Sequence, residues 1–201
     1  MVLPIVLAGW LTGIGLIAAV GAQNAYLLRR GLRREHVLPL VLLCSLSDIL
    51  LIGAGVLGVG AVLHRWPPLL DLVRWGGALF LVGYGASCLW RSARSSQSLT
   101  AGQGEKPVSL RRALLTMAGF TWLNPHLYLD ITILGGLANA HGPTDRWWYY
   151  AGLLAASVTW FSALGFGSAR LAPLFARPRA WQVFDLLIGL VMIALGVALV
   201  A

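Results

Sequence analysis

The chain has 201 residues, of which 58% are hydrophobic and only 11% are charged, and its mean hydropathy is +0.78. A soluble domain carries about 25% charged residues, so the composition excludes an ordinary soluble protein and indicates an integral membrane protein. The net charge of +8 would suit a nucleic-acid partner, but the basic residues stand at the ends of apolar runs, where membrane orientation explains them better.

Six apolar runs follow one another along the chain, each long enough to cross a bilayer. They cover residues 4–28, 37–63, 69–90, 113–138, 147–171 and 182–200. We therefore expect an all-α integral membrane protein with six transmembrane helices. The first run lacks the basic residues that begin a secretory signal, so we interpret it as a transmembrane helix.

Most Lys and Arg residues follow the first, third and fifth runs. Because loops rich in Lys and Arg stay cytoplasmic, both termini are predicted to lie outside. The longest connection, residues 92–112, is predicted to be a cytoplasmic linker between two three-helix repeats, residues 1–91 and 113–201. Since three is odd, the second repeat enters the membrane from the opposite side, which is the geometry of an inverted repeat. Aligning Asn24 with Asn124 also matches Leu27 with Leu127.

The strongest motif is TWLNPHLYLD, residues 121–130, inside the fourth apolar run. It places Asn124, Pro125, His126 and Asp130 at membrane depth. Pro125 removes a backbone donor and frees carbonyls, which need protein or a water-filled cavity around them. Broken helices beside polar side chains near the midplane are typical of secondary transporters. A proline kink with Asn124 joining two helices is the alternative interpretation. His126 could titrate for proton coupling, but a lone histidine is more often structural.

Asp48 is the second strong signal, because it lies roughly 16 Å into the second run, near the centre of the bilayer. A carboxylate there is costly and should face a cavity or a partner, and Asn124 reaches a similar depth. We expect the two to share a site. Gln23 and Asn24 form another polar cluster, either an inner gate or a cap on an interrupted helix.

Asp130 lies nearer the outer end of the fourth run and is either an interfacial residue or part of substrate passage. Arg74 is the best internal ion-pair partner for Asp48 or Asp130, although it could pair with Asp71 instead. Small residues at helical spacing predict close helix packing at Gly9 and Gly13, Ala54 and Gly58, and Gly189 and Gly196.

No catalytic or metal-binding motif is present: the sequence has no GxxxxGK[ST], HExxH or GxSxG, and Cys44 and Cys88 form no CxxC pair. We therefore expect no enzyme activity, no metal and no cofactor.

With GAQNAYLLRRG in the first run, SDILLIGAGVLG in the second and TWLNPHLYLD in the fourth, the sequence resembles the lysine/arginine exporter, or LysE-type, family over essentially its whole length. The resemblance implies a secondary transporter of the bacterial cytoplasmic membrane that expels L-lysine, L-arginine or related basic amino acids. Asn24, Asp48, Asn124, Pro125 and Asp130 fall on the family's motifs. The homoserine/threonine branch is similar, but PGPN would be expected where this chain reads GAQN.

A cationic substrate needs carboxylates in the low-dielectric core, which Asp48 and Asp130 supply. Exporting a cation against the membrane potential costs about 2.3 kcal/mol per 100 mV. Protons as the coupling ion would offset this cost, and Asp48 is our candidate proton carrier, with Asp130 still open. The alternatives are an exporter of neutral amino acids, a membrane-embedded enzyme or thiol carrier, and a non-transporting membrane subunit. A homo-oligomer is also left open.

Overall fold

The computed structural model describes residues 2–18, 21–58, 67–94, 108–176 and 178–200. These residues form α-helices and one 3₁₀ helix, and no strand occurs among them. The helices are α1 Val2–Ile17, α2 Ala22–Leu32, α3 Val37–Val56, α4 Pro67–Arg94, α5 Leu110–Trp122, α6 Pro125–Asn139, α7 Gly142–Gly167, the 3₁₀ helix Ser168–Ala176 and α8 Pro178–Ala198. The all-α class expected from the sequence is confirmed. Most of the linker at 92–112 lies outside the described residues.

Four segments are long and apolar enough to cross a membrane: Val37–Val56, Asp71–Ala93, Gly142–Pro173 and Arg179–Ala198. A fifth is obtained if α1 and α2, whose axes differ by 86°, count as one broken span. The expected count of six spans is therefore not confirmed. It differs because the fourth apolar run is divided into α5 and α6, so that neither part reaches the length of a regular span.

Glycines bring two pairs of helices into close contact, α1 with α7 and α4 with α8. Gly9 and Gly13 of α1 lie against α7, where a Cβ on Gly9 would stand 2.2 Å from the Tyr149 carbonyl oxygen. Gly189 of α8 lies against α4 beside Gly85. Lipid supplies no hydrophobic drive between helices, so this close backbone approach is itself the source of packing energy.

The prediction of small-residue packing holds for Gly9 and Gly13 and for Gly189 and Gly196, each of which has a neighbouring helix within van der Waals contact. Gly58 has a φ of +86° and ends α3 in a left-handed turn, and no described residue lies within 4 Å of the position that its Cβ would take. Residues 59–66 lie outside the described structure, so the packing of Ala54 and Gly58 stays a prediction.

The basic ends of several helices meet at one end of the bundle, which we call the basic end. It comprises the carboxyl ends of α2 and α4, the start of α5 and the start of α8. Ser92 on α4 donates to the Gln182 carbonyl at 2.9 Å, and the His36 ring bonds the Val108 carbonyl at 2.7 Å. Glu35 pairs with Arg30 at 2.5 Å and with Arg33 at 3.0 Å. These bonds join α4 to α8, and the loop after α2 to the segment before α5.

Candidate functional site

The first helix break lies between α1 and α2, and the Asn24 side chain spans it. Its Nδ2 donates to the Ile17 carbonyl at 2.9 Å, which satisfies one of the carbonyls left free where α1 ends. Its Oδ1 accepts from the Trp160 indole on α7 at 3.3 Å. Asn24 therefore caps an interrupted helix, as one of its two predicted roles required, and also ties the break to α7.

The second break lies between α5 and α6, at Leu123 and Asn124. Pro125 is the first residue of α6, where its missing N–H costs nothing because the first helical N–H groups have no intrahelical partner. The Tyr128 hydroxyl donates back to the Trp122 carbonyl at 2.8 Å. Each break is thus closed by a side chain from the second half-helix that binds a carbonyl of the first.

A cavity of about 280 Å³ lies between the two breaks, close to the lower end of the ~300–1,000 Å³ typical of small-molecule sites. Five of the polar residues predicted for the site line it: Gln23, Asn24, Asp48, Asn124 and Asp130. Its apolar lining comes from helices other than α3 and includes Phe80, Leu81, Phe120 and Phe161. The two breaks and the buried carboxylate of α3 therefore line one space.

Asp48 is the most deeply buried acid of this cavity, with 7% of its surface exposed. Within the part of the chain that the structure describes, its Oδ2 has no hydrogen-bond partner. The Nε2 of Gln23 is likewise buried without one. Buried polar atoms are almost always satisfied by protein or water, so these two atoms make the wall of the cavity around Gln23 and Asp48 polar.

Asp130 lines the same cavity and is half-buried, on α6 beyond the second break. Arg74 lies elsewhere: it is exposed on α4, and its Nε donates to the Leu199 carbonyl. Among the described residues, this carbonyl is the polar contact of Arg74, which pairs with neither Asp48 nor Asp130. Pro125 and His126 begin α6, and their side chains lie outside the described part of the structure.

The sequence did not predict an ion-pair cluster that lies at the basic end. Asp185 on α8 pairs with Arg29 on α2 and, at 3.6 Å, with Arg91 on α4. The signal available in the sequence was an acid, Asp185, at the start of the last apolar run, opposite two arginines that close earlier runs. Sequence alone gives no reason to pair these three residues, because they belong to three different helices.

An aromatic layer separates this ion-pair cluster from the cavity. Tyr26, Tyr84 and Phe120 meet edge to face or tilted, with ring centroids 4.8 to 5.9 Å apart. Tyr26 is 1% exposed and Phe120 is 2% exposed. The cavity's other lining residues include Asp130, Leu195 and Leu199, at the end of the bundle opposite the basic end. Phe120 lines the cavity and the Tyr84 ring lies against Arg91, so these packed rings lie between the cavity and the ion-pair cluster.

Several apolar spanning helices, two broken helices and a polar cavity between the breaks define the class of multi-pass membrane transporters. The chain belongs to the LysE-type translocator family, whose model matches residues 14–201. The family resemblance drawn from the three motifs is thereby confirmed.

Curated relatives are similar over nearly the full length. The lysine exporter LysE of Corynebacterium diphtheriae is 35% identical over 98% of this chain and 99% of its own. The arginine exporter protein ArgO of Yersinia enterocolitica is 43% identical, over 94% of this chain and 93% of its own. A putative amino-acid transporter of Mycobacterium tuberculosis is 43% identical over 89% and 88%. No solved structure matches the chain.

Proposed function

We propose that the protein is a secondary-active exporter of basic L-amino acids, lysine and arginine, across the bacterial cytoplasmic membrane. The observation that carries this proposal is the charge of the cavity. Among the described residues, its lining includes two carboxylates, Asp48 and Asp130, and no lysine or arginine. A low-dielectric site with this balance favours a substrate that brings positive charge.

The helix breaks offer complementary groups for the rest of an amino acid. The N-termini of α2 and α6 both adjoin the cavity through Gly21, Gln23, Asn124 and Leu127. The first N–H groups of a helix are free, and the helix dipole places partial positive charge there, so an α-carboxylate is stabilised at such an end. The substrate's cationic groups then lie toward Asp48 and Asp130.

The names of the relatives support the same substrates, since one is called a lysine exporter and another an arginine exporter. In the proposed arrangement the broken pairs α1–α2 and α5–α6 each make one span, which gives six spans in two inverted triplets. The basic end faces the cytoplasm and both termini lie outside. Export of a cation is coupled to the proton gradient or the membrane potential, with Asp48 as proton carrier.

Efflux of labelled L-arginine and L-lysine from cells loaded with dipeptides tests the proposal. Cells that produce the protein should lose both labelled amino acids faster than cells without it, while labelled neutral amino acids leave at unchanged rates. Faster loss of neutral amino acids alone would establish the rival function, an exporter of neutral substrates. A membrane-inserted protein that changes none of these rates would instead be a non-transporting subunit.

A further inference from the structure

The Arg29 guanidinium occupies a binding site built from residues of another helix. It pairs with the Asp185 carboxylate, and its Cζ lies 5.9 Å from the centroid of the Trp181 ring. Arg29 is 4% exposed and Asp185 is 6% exposed, so both charges are buried. A carboxylate beside an aromatic face is the arrangement that proteins use to bind a guanidinium group.

Arg91 closes the other side of Asp185. Its Nη2 lies 3.6 Å from the carboxylate and donates to the Cys88 sulfur at 2.8 Å. Its Cζ also lies 5.8 Å from the centroid of the Tyr84 ring, which belongs to the aromatic layer below the cavity. The contacts of Asp185 thus join α2, α4 and α8 at the point where the basic end is closed.

Arg29 is carried by the half-helix whose other end adjoins the cavity. α2 begins at Ala22, beside the first break, and Arg29 follows Tyr26 by one turn on the same face. Because both side chains are carried by α2, a movement of α2 about the break at Gly21 would withdraw the tyrosine from the aromatic layer and the arginine from Asp185 together. Such a movement would open a path from the basic end toward the cavity.

We propose that Asp185 and Trp181 form an entry site for the guanidinium group of a substrate arginine, and that Arg29 occupies this site when the basic end is closed. Leaving a buried carboxylate short of its cation is strongly unfavourable, so Arg29 departs at low cost only when another cation replaces it. An arriving arginine carries the same group as Arg29 and leaves the net charge of the cluster unchanged. The inference rests on the proposed export of basic amino acids.

Cys88 provides a native reporter for the test, because its thiol is fully buried beside Arg91. The purified full-length protein carries Cys44→Ser, so that Cys88 is its single thiol, and is labelled with a small thiol reagent. Arg29→Ala should raise the labelling rate about tenfold, the scale expected when one charge-assisted bond is lost. L-arginine should then restore protection, whereas L-citrulline, which has a neutral urea in place of the guanidinium, should not.

Two further variants separate the site from a general loosening of the fold. Arg33→Ala, on the same segment but paired with Glu35, should leave Cys88 protected. Asp185→Asn combined with Arg29→Ala should remove protection by L-arginine while the protein still elutes as a folded species. Equal protection by arginine and citrulline, or protection that persists in the double variant, would overturn the entry site. Neither result would bear on wild-type efflux, whose failure would overturn the proposed function instead.

Discussion

Replacing Asp48 by Asn is the sharpest perturbation of the cavity. The exchange keeps the size of the side chain and removes only its charge, at a position that is 7% exposed. Asp48 lines the cavity, so a bound ammonium or guanidinium group can pair with its carboxylate there. The substitution therefore removes a charge-assisted contact to the substrate without opening a cavity in the packing.

The expected size of the effect follows from the burial of that contact. A hydrogen bond to a charged group contributes about 1.5–3 kcal/mol, which corresponds to roughly 10- to 150-fold in affinity. If the same carboxylate carries the proton, the amide cannot replace it, and net export is abolished rather than weakened. Affinity and transport thus give separate readings of the two roles assigned to Asp48.

Two measurements are needed. Arginine binding to purified protein gives the loss of affinity, and efflux of labelled arginine from dipeptide-loaded cells gives net export. Asp71→Asn is the matched control, since this aspartate is exposed on α4 and the substitution should change neither quantity. Wild-type binding and efflux in the Asp48→Asn protein, at equal membrane levels, would refute the assignment of the cavity as a cation site.

Three further substitutions test the packing and the breaks. Gly135→Ala should lower the thermal midpoint, because its Cβ would stand 2.3 Å from a backbone oxygen of α3 and overpacking costs about 1–3 kcal/mol; Gly136→Ala, with open space, should not. Asn24→Ala leaves the Ile17 carbonyl unsatisfied, so stability should fall by about 1–3 kcal/mol in a denaturation series. Arg74→Ala should leave arginine efflux within about twofold of wild type, since a surface contact contributes little. A complete loss of efflux would instead support the predicted pairing of Arg74 with an aspartate.

Hydropathy and proline chemistry were sufficient to predict much of the fold. Apolar runs separated by basic segments gave the helical class, and Pro125 marked a true break because a proline is tolerated only at the start of a helix. The length of the fourth run was misleading. Hydropathy sums over a helix and its interruption alike, so it cannot tell one regular span from α5 and α6. The first break has no proline and was visible only as polar residues after Gly21.

The polar residues of the candidate site could be predicted from the free-energy cost of placing a polar side chain inside the membrane. An acid or amide at membrane depth is unfavourable unless it faces a partner or a cavity. This cost singles out five residues that line one cavity. Polar groups that satisfy each other across two helices cannot be predicted in this way. Arg29 and Asp185 each stand near a run's end, where a charge has an ordinary explanation, so only the three-dimensional contact identifies them as a cluster.

The proposed inverted repeat also accounts for the closed basic end. Under it, α3 corresponds to α7 and α4 to α8, and each helix does pack against its counterpart. The first half-helices, α1 and α5, do not match: α1 packs extensively along α7, whereas α5 contacts α3 much less. In transporters built from inverted repeats, the two repeats can exchange such packings during alternating access. Under the proposed repeat, such an exchange would move α2 relative to Asp185 and α6 relative to the cavity, as alternating access requires.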